Sequence, residues 1–288
     1  MEENTLLHLV SFVATRAEVL SLLMAIPSSM LSPPLMALLG LLQGPLSDEN
    51  RNQWPRPCFE SLGPWYLPHL LTAIPAFDTV CIEHPFGFES LCENASVPGY
   101  TNKRAFLSFL VKWPTKLGTL TITRQPTPTD DDELVRLLHT CTRLDDVRLD
   151  VTWPRAGEVL ALLVSPRFCV RRLVIEEMEW DHGNTVLDLT TALTPWLRSG
   201  HATSLVFDYI TSSLVEGLPA ALALAPSLTR LEIIDSDKVI DVLLTSQTRL
   251  SSVTQLKVRV NGNTTSNELR LVKLLPMDKV TVLDFFGH

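Results

Sequence analysis

The chain has 288 residues, 45% of them hydrophobic and 19% charged, which is enough apolar material for a folded core and too much for a disordered chain. Its formal net charge is −8 and no stretch concentrates Lys and Arg. This argues against nucleic acid or an anionic membrane as partner, because phosphate binding needs clustered cations.

The opening "MEENTLLHLV" is acidic where an export signal would be basic, and His8, Arg16 and Glu18 interrupt its apolar residues, so no secretory leader is expected. The sequons Asn94-Ala95-Ser96 and Asn263-Thr264-Thr265 would matter only in an exported chain. Residues 1–60 carry two short helical patterns, Leu6-Leu9-Val10-Val13 and Val19-Leu22-Leu23-Ile26, separated by a polar Ala-Thr-Arg-Ala link and followed by "PPLMALLGLL". That last run, at about half of the roughly 20 residues a bilayer span needs and opened by two prolines, predicts no transmembrane helix. A small all-α module placed here would cap the first apolar face of the region after it. The cysteines Cys58, Cys81, Cys92, Cys141 and Cys169 are an odd set without paired spacing. They predict buried thiols in a reducing compartment, cytoplasmic or nuclear.

From about residue 75 one short pattern returns: "LGTLTIT" (117–123), "LDDVRLD" (144–150), "ATSLVFD" (202–208), "LTRLEII" (228–234) and "VTQLKVRV" (253–260), with apolar residues at positions one, four and six. Marking the second apolar position gives Val80, Leu120, Val147, Leu173, Leu205, Leu231, Leu256 and Leu283, at successive spacings of 40, 27, 26, 32, 26, 25 and 27. Helical periodicity fills the intervals at "DDELVRLLHTC" (131–141), "AGEVLALLV" (156–164), "LDLTTALTPWL" (187–197), "KVIDVLLTS" (238–246) and "NELRLVKLL" (267–275). Each unit is thus one strand and one helix, neither able to bury its apolar side alone.

Over residues 75–288 these L-x-x-L-x-L cores resemble the leucine-rich repeat family, whose units run to about 20–29 residues. The resemblance implies an α/β solenoid with parallel strands on a concave face and helices on the convex face, here spanning residues 61–288. The family's next consensus position, usually Asn or Cys, holds Gln125, Thr152, Met178, Ile210, Ser236 and Asn261. Only Asn261 conforms, so the usual side-chain ladder is not expected and the solenoid should be irregular. A parallel α/β sheet of non-repeat type is the competing fold.

The first module resembles an F-box through Leu6, Leu7, Leu9, Val10 and Phe12, then Glu18, Val19, Leu20, Leu22 and Leu23. No Leu-Pro pair opens it, and Ile26-Pro27-Ser28-Ser29 stands where the family has a Cys-Arg-Trp-like stretch. The resemblance implies docking on a Skp-type adaptor of a cullin ubiquitin ligase, with Leu6, Leu9, Val10, Phe12, Val19, Leu22 and Leu23 as contacts and the repeat region holding a substrate. A cap without adaptor binding is the other reading.

Catalytic and cofactor signatures are missing from the sequence: there is no phosphate loop, dinucleotide fingerprint, G-x-S-x-G or H-E-x-x-H. Cys81 and His84 form half of a zinc pattern that Cys92 alone does not complete. "TDDDE" (129–133) reads as a helix start with Thr129 or Asp130 as N-cap. Trp113-Pro114 and Trp153-Pro154 read as packing at element ends. No metal or cofactor is expected, and the function predicted is non-catalytic protein binding. An enzyme with a site at the strand carboxyl ends would have to bring His84, Asp181 and His182 together.

Strand alternation predicts the outward residues: Thr119, Thr121, Thr123; Asp146, Arg148, Asp150; Arg172, Val174, Glu176; Ser204, Val206, Asp208; Arg230, Glu232, Ile234; Gln255, Lys257 and Arg259. The charged ones from Asp146 onward are the candidate partner-binding surface. Asp150, Glu176 and Asp208 should stack as a solvated carboxylate column suited to a Lys- or Arg-bearing segment of a protein partner. Charge reversal at Asp150 and Glu176 is then expected to leave folding intact. The chain stops at "VTVLDFFGH" just after a repeat strand, which predicts an open or minimally capped edge.

Overall fold

The first helices form where their periodicity places them: α1 (Glu3–Phe12), α2 (Arg16–Met24) and α3 (Pro33–Gln43). The structure, a computed structural model, describes residues 3–13, 15–44, 54–98, 100, 104–122, 131–165, 167–177, 187–211, 213–260, 270–276 and 278–287. The chain divides into two units, Met1–Thr121 with Asp132–Leu144, and Ile122–Asp131 with Asp145–His288.

In the first unit α2 starts with a capping box. The Thr15 hydroxyl accepts the Glu18 backbone N–H at 3.3 Å and the Glu18 carboxylate accepts the Thr15 N–H at 3.2 Å, satisfying two donors that a helix start leaves free. Pro33 and Pro34 open α3, where no backbone N–H is needed. Helix α3 packs on α2 and along α4 (Leu67–Ala73), and α1 meets the 3-10 turn Ile74–Ala76. The segment before residue 60 therefore shares a core with the helices after it: Val10, Val19, Leu23, Leu38 and Leu42 are fully buried.

Strand β1 (Val80–Ile82) leads through α5 (Pro85–Ala95) and α6 (Ala105–Lys112) to the parallel strand β2 (Leu117–Ile122). Phe59, Phe88 and Phe109 fill the space beneath with mutual edge-on contacts at centroid distances of 5.1, 5.6 and 5.4 Å. The pairing sets Ile82, not Val80, against Leu120, and Val80 against Leu117, with a register shift between Val80 and Cys81. The repeat marker assigned to Val80 is thus two residues early. Gly118 is required in β2, since a Cβ there would lie 2.8 Å from the Thr79 Cβ. The helix after β2 is α7 (Asp131–Leu138).

The second unit runs β3 (Asp146–Asp150), α8 (Ala156–Leu163), β4 (Arg172–Glu176), α9 (Leu189–Arg198), β5 (Ser204–Asp208), α10 (Leu218–Ala223), β6 (Arg230–Ile234), α11 (Asp237–Ser246), β7 (Gln255–Val260) and β8 (Val282–Gly287). All its strands pair parallel with their neighbours in chain order. Val147, Leu173, Leu205, Leu231, Leu256 and Leu283 fall in one register row, as the repeat marker predicts. Parallel crossovers are right-handed, and an order that never reverses places every connecting helix on the same face. The marker row up to Leu256, together with Leu149, Ile175, Phe207, Ile233 and Val258, is buried on that face.

Two side chains anchor this core. Asp188 caps α9 by accepting the Thr191 N–H at 3.1 Å. Trp196, fully buried in α9, donates its indole N–H to the Val170 carbonyl at 2.7 Å.

A hydrogen-bonded ladder marks the strand entrances. Thr203 Oγ1 donates to the Arg171 carbonyl at 3.0 Å, Thr229 to Thr203 at 3.2 Å, Thr254 to Thr229 at 3.4 Å, and Thr281 to Thr254 at 3.2 Å. Each of these carbonyls also accepts two backbone N–H groups from the next unit. No side-chain ladder is expected from the sequence, because the family's Asn position is not kept. Threonine supplies one instead, at the other end of the strand. At the consensus position itself Ser236, fully buried, accepts the Ile210 N–H at 2.9 Å and donates to Ile234 O at 2.8 Å. The consensus residues Gln125, Met178 and Asn261 lie outside the described residues.

Among the described residues, no helix is long and apolar enough to cross a membrane. Four cysteines are buried as expected, but Cys169 is exposed.

Candidate functional site

The strand face away from the helices carries three register rows. Asp146, Arg172, Ser204, Arg230 and Gln255 form the first, Arg148, Val174, Val206, Glu232 and Lys257 the second, and Asp150, Glu176, Asp208, Ile234 and Arg259 the third. The carboxylate column is therefore in register as expected.

Its solvation is not. Asp150 is 1% exposed, Glu176 3% and Asp208 8%. Arg148 lies across the column, donating Nε to Glu176 at 2.5 Å and a terminal nitrogen to Asp208 at 2.9 Å. Asp150 accepts the Thr152 N–H at 2.9 Å and its hydroxyl at 2.7 Å, closing the turn after β3. Charge reversal at Asp150 or Glu176 would therefore bury a cation in place of a hydrogen-bonded carboxylate and disturb folding. The tolerance expected of a solvated column does not carry over, since this column is buried and its spacing says nothing about neighbouring arginines.

The same layering recurs along the face. Arg172 pairs with Asp146 at 3.2 Å, Lys257 with Glu232 at 2.9 Å, and Arg259 with Asp235 at 3.6 Å. In the bridges to Glu176, Asp208, Glu232 and Asp235 the cation side chains are 39–41% exposed and the carboxylates 4–12%. Arg230 is exposed as well. Carboxylates thus form a lower layer and guanidinium and ammonium groups the layer that meets solvent, the long stems covering apolar strand surface such as Val174 and Val206. Burial pushes the Asp208 carboxyl above its usual range, although Arg148 and Arg259 pull the other way. For Arg148, burial lowers the pKa, but Glu176 and Asp208 together outweigh it and raise it. At the carboxyl end of β5, Tyr209 is 45% exposed, with φ of 55°, and a hydrogen bond to Asp235 raises its phenol.

Beside this face, Glu177 gathers the loop after β5. Its carboxylate accepts the Thr211 N–H at 2.6 Å, the Thr211 hydroxyl at 2.9 Å, the Ser213 N–H at 2.8 Å and the Ser213 hydroxyl.

The adaptor-contact residues divide. Leu6, Val10, Val19 and Leu23 are buried within the first unit, Leu22 is half-buried and Leu9 is 46% exposed. The side chain of Phe12 lies outside the described set. Glu18, matched to the F-box pattern, closes the α2 capping box. Exposed apolar side chains nearby in sequence are Met24, Met30 and Met36, none of which the pattern singles out.

Of the enzyme candidates, only His84 lies among the described residues. Asp181 and His182 lie outside them, and the backbone N–H of His84 donates to Glu60 at 2.9 Å. Thr123, Thr129 and Asp130 also lie outside. In "TDDDE", Asp131 accepts the Trp153 indole N–H at 3.0 Å and Glu133 pairs with Arg104 and Arg136, so both acids hold structure.

One cluster joins Cys81, a member of the incomplete zinc pattern, to residues that the pattern does not name. Cys58 forms a parallel bridge with Cys81, and the two thiols and the Glu83 carboxylate have ligand atoms all within 4.8 Å of one another. Cys58 Sγ also donates to Glu60 at 3.2 Å. The Cys58 thiol is pushed upward by its hydrogen bond with Cys81, by burial and by Glu60. Nothing in local spacing could join two cysteines 23 positions apart; only the strand pairing does.

No protein-family model matches the chain, and a search of curated proteins finds no match to it either.

Proposed function

We propose that the chain is a non-catalytic protein-recognition module of leucine-rich repeat type, acting in the cytoplasm or nucleus. In this reading the strand face of the second unit holds a partner segment rich in carboxylates and carbonyls. The observation that carries it is the layering of that face, with cations outermost over buried carboxylates. It reverses the sign of the partner expected from the sequence, because an approaching chain meets Arg148, Arg172, Arg230, Lys257 and Arg259 over the carboxylates of Glu176, Asp208, Glu232 and Asp235, with only the part-exposed Asp146 carboxylate beside Arg172. The unreversed strand order supports repeat stacking over a doubly wound sheet, whose ligand crevice needs a switch point.

Immobilised full-length chain at physiological salt tests this reading. The double variant R172E/R230E is expected to lose partner proteins that the R198E variant, altered at an exposed position of α9, retains. Equal retention by both variants rejects the face.

The second reading, an F-box-like substrate receptor, is favoured by the exposed apolar set Leu9, Met24, Met30 and Met36. Purified Skp-type adaptor should then be retained by the wild type and released by M24E/M30E, with folding checked by circular dichroism. No retention by the wild type reduces these helices to a cap.

A further inference from the structure

We propose that the first unit contains a zinc site formed by Cys58, Cys81 and Glu83, with Glu60 completing the fourth position. The backbone builds it. Cys81 N–H donates to the Pro57 carbonyl at 2.9 Å and Phe59 N–H to the Cys81 carbonyl at 3.1 Å, holding the two thiols side by side on adjacent extended segments. Glu83 follows Cys81 by two residues, just past the end of β1, and its carboxylate lies with the two thiols; Glu60 follows Cys58 by two residues in the turn after the bridge. Two sulfurs and the Glu83 carboxylate so converge on one point, with the Glu60 carboxylate beside the Cys58 sulfur.

The donor set selects the metal class. Thiolates favour a borderline-soft ion over magnesium or calcium, and two sulfurs with two oxygens suit four-coordinate zinc. Tetrahedral zinc with bonds of about 2.3 Å to sulfur sets two sulfurs roughly 3.8 Å apart, so the cluster, whose ligand atoms lie within 4.8 Å of one another, closes by side-chain shifts of at most about 1 Å. Glu60 is held for the purpose: one carboxylate oxygen is fixed by the His84 N–H at 2.9 Å while the other already meets Cys58 Sγ at 3.2 Å. An open hollow of about 600 Å³, lined by Glu60, Ser61, Leu62 and Gly63, gives solvent a path to Glu60. Both thiols bind as thiolates, so uptake of one zinc releases their two protons to solvent. The bound ion would clip residues 57–59 to β1. None of this depends on the recognition reading.

The test uses the full-length chain, reduced and stripped of metal, titrated with zinc against a chromophoric chelator and separately with cobalt. One equivalent of zinc and a thiolate-to-cobalt absorption band are expected. C58S and C81S should each weaken zinc binding at least tenfold and remove the band, while C169S leaves both unchanged. E83Q, at an exposed position, should also weaken zinc binding about tenfold, of the order that loss of a supporting ligand contact produces. That variant decides the matter should the cysteine variants not fold. The proposal is overturned if the reduced wild type takes up no zinc, if E83Q binds as tightly as wild type, or if the two cysteines only form a disulfide on exposure to air.

Discussion

Replacing Trp196 with alanine is expected to destabilise the second unit by about 3–5 kcal/mol, the range for emptying a fully buried aromatic site. The side chain is completely enclosed, and its indole N–H satisfies the Val170 carbonyl just ahead of β4. Alanine therefore leaves both a void and a buried acceptor without its partner. The midpoint of thermal unfolding should fall by on the order of 10 °C, followed by circular dichroism. Trp196→Phe separates the two contributions, because it keeps most of the volume and loses only the hydrogen bond, worth about 1 kcal/mol. A midpoint within experimental error of wild type for W196A would mean that α9 is not packed on β4 and β5.

Arg148→Met should cost about 2 kcal/mol, below the roughly 3–5 kcal/mol of breaking a fully buried pair because the arginine itself is 41% exposed. The methionine keeps the apolar stem but strands Glu176 and Asp208 beside one another, each already with one buried oxygen that makes no hydrogen bond. The loss should depend on pH with a defined sign. The Asp208 carboxyl is raised in the folded state, so its contribution is fully present below its unfolded pKa and is lost as pH rises through the folded one. Without Arg148 to pull it down, the folded value rises further. The deficit of R148M relative to wild type should therefore be largest at neutral pH and shrink on acidification toward the carboxylate range. Denaturant melts across that interval measure it, and a deficit that grows on acidification would contradict the assigned pairing. E176Q in the R148M background should restore part of the stability by removing one of the two charges.

The repeat was legible because it is written in side chains that the register must align: Val147 through Leu283 stand in one row as their spacing implies. Helix α10 escaped notice because its six residues, Leu218–Ala223, are too few to display a period. The α2 start was readable and missed, since Thr15 and Glu18 have the T-x-x-E spacing of a capping box. The site was less legible for a physical reason. Alternation tells which face a residue takes, and Asp150, Glu176 and Asp208 do share one, but whether that face shows its acids or its bases depends on side-chain length. Aspartate and glutamate end close to the backbone, arginine and lysine reach over them, and only the assembled rows show which cation covers which acid. The Cys58–Cys81 pair lies further still from local pattern, since it requires an irregular segment to join β1.

The threonine ladder separates alignment from connection length. Each rung is made at the first residues of a strand, by a hydroxyl and two amides converging on one carbonyl of the preceding unit. The phase of every strand is therefore fixed at its entrance, whatever route the chain took to reach it. The intervals from Arg171 through Thr203, Thr229 and Thr254 to Thr281 differ, the first exceeding the others, yet all close the same rung. Segments beyond the strand exits are consequently free to lengthen or shorten over generations without dragging the rows of charge out of step.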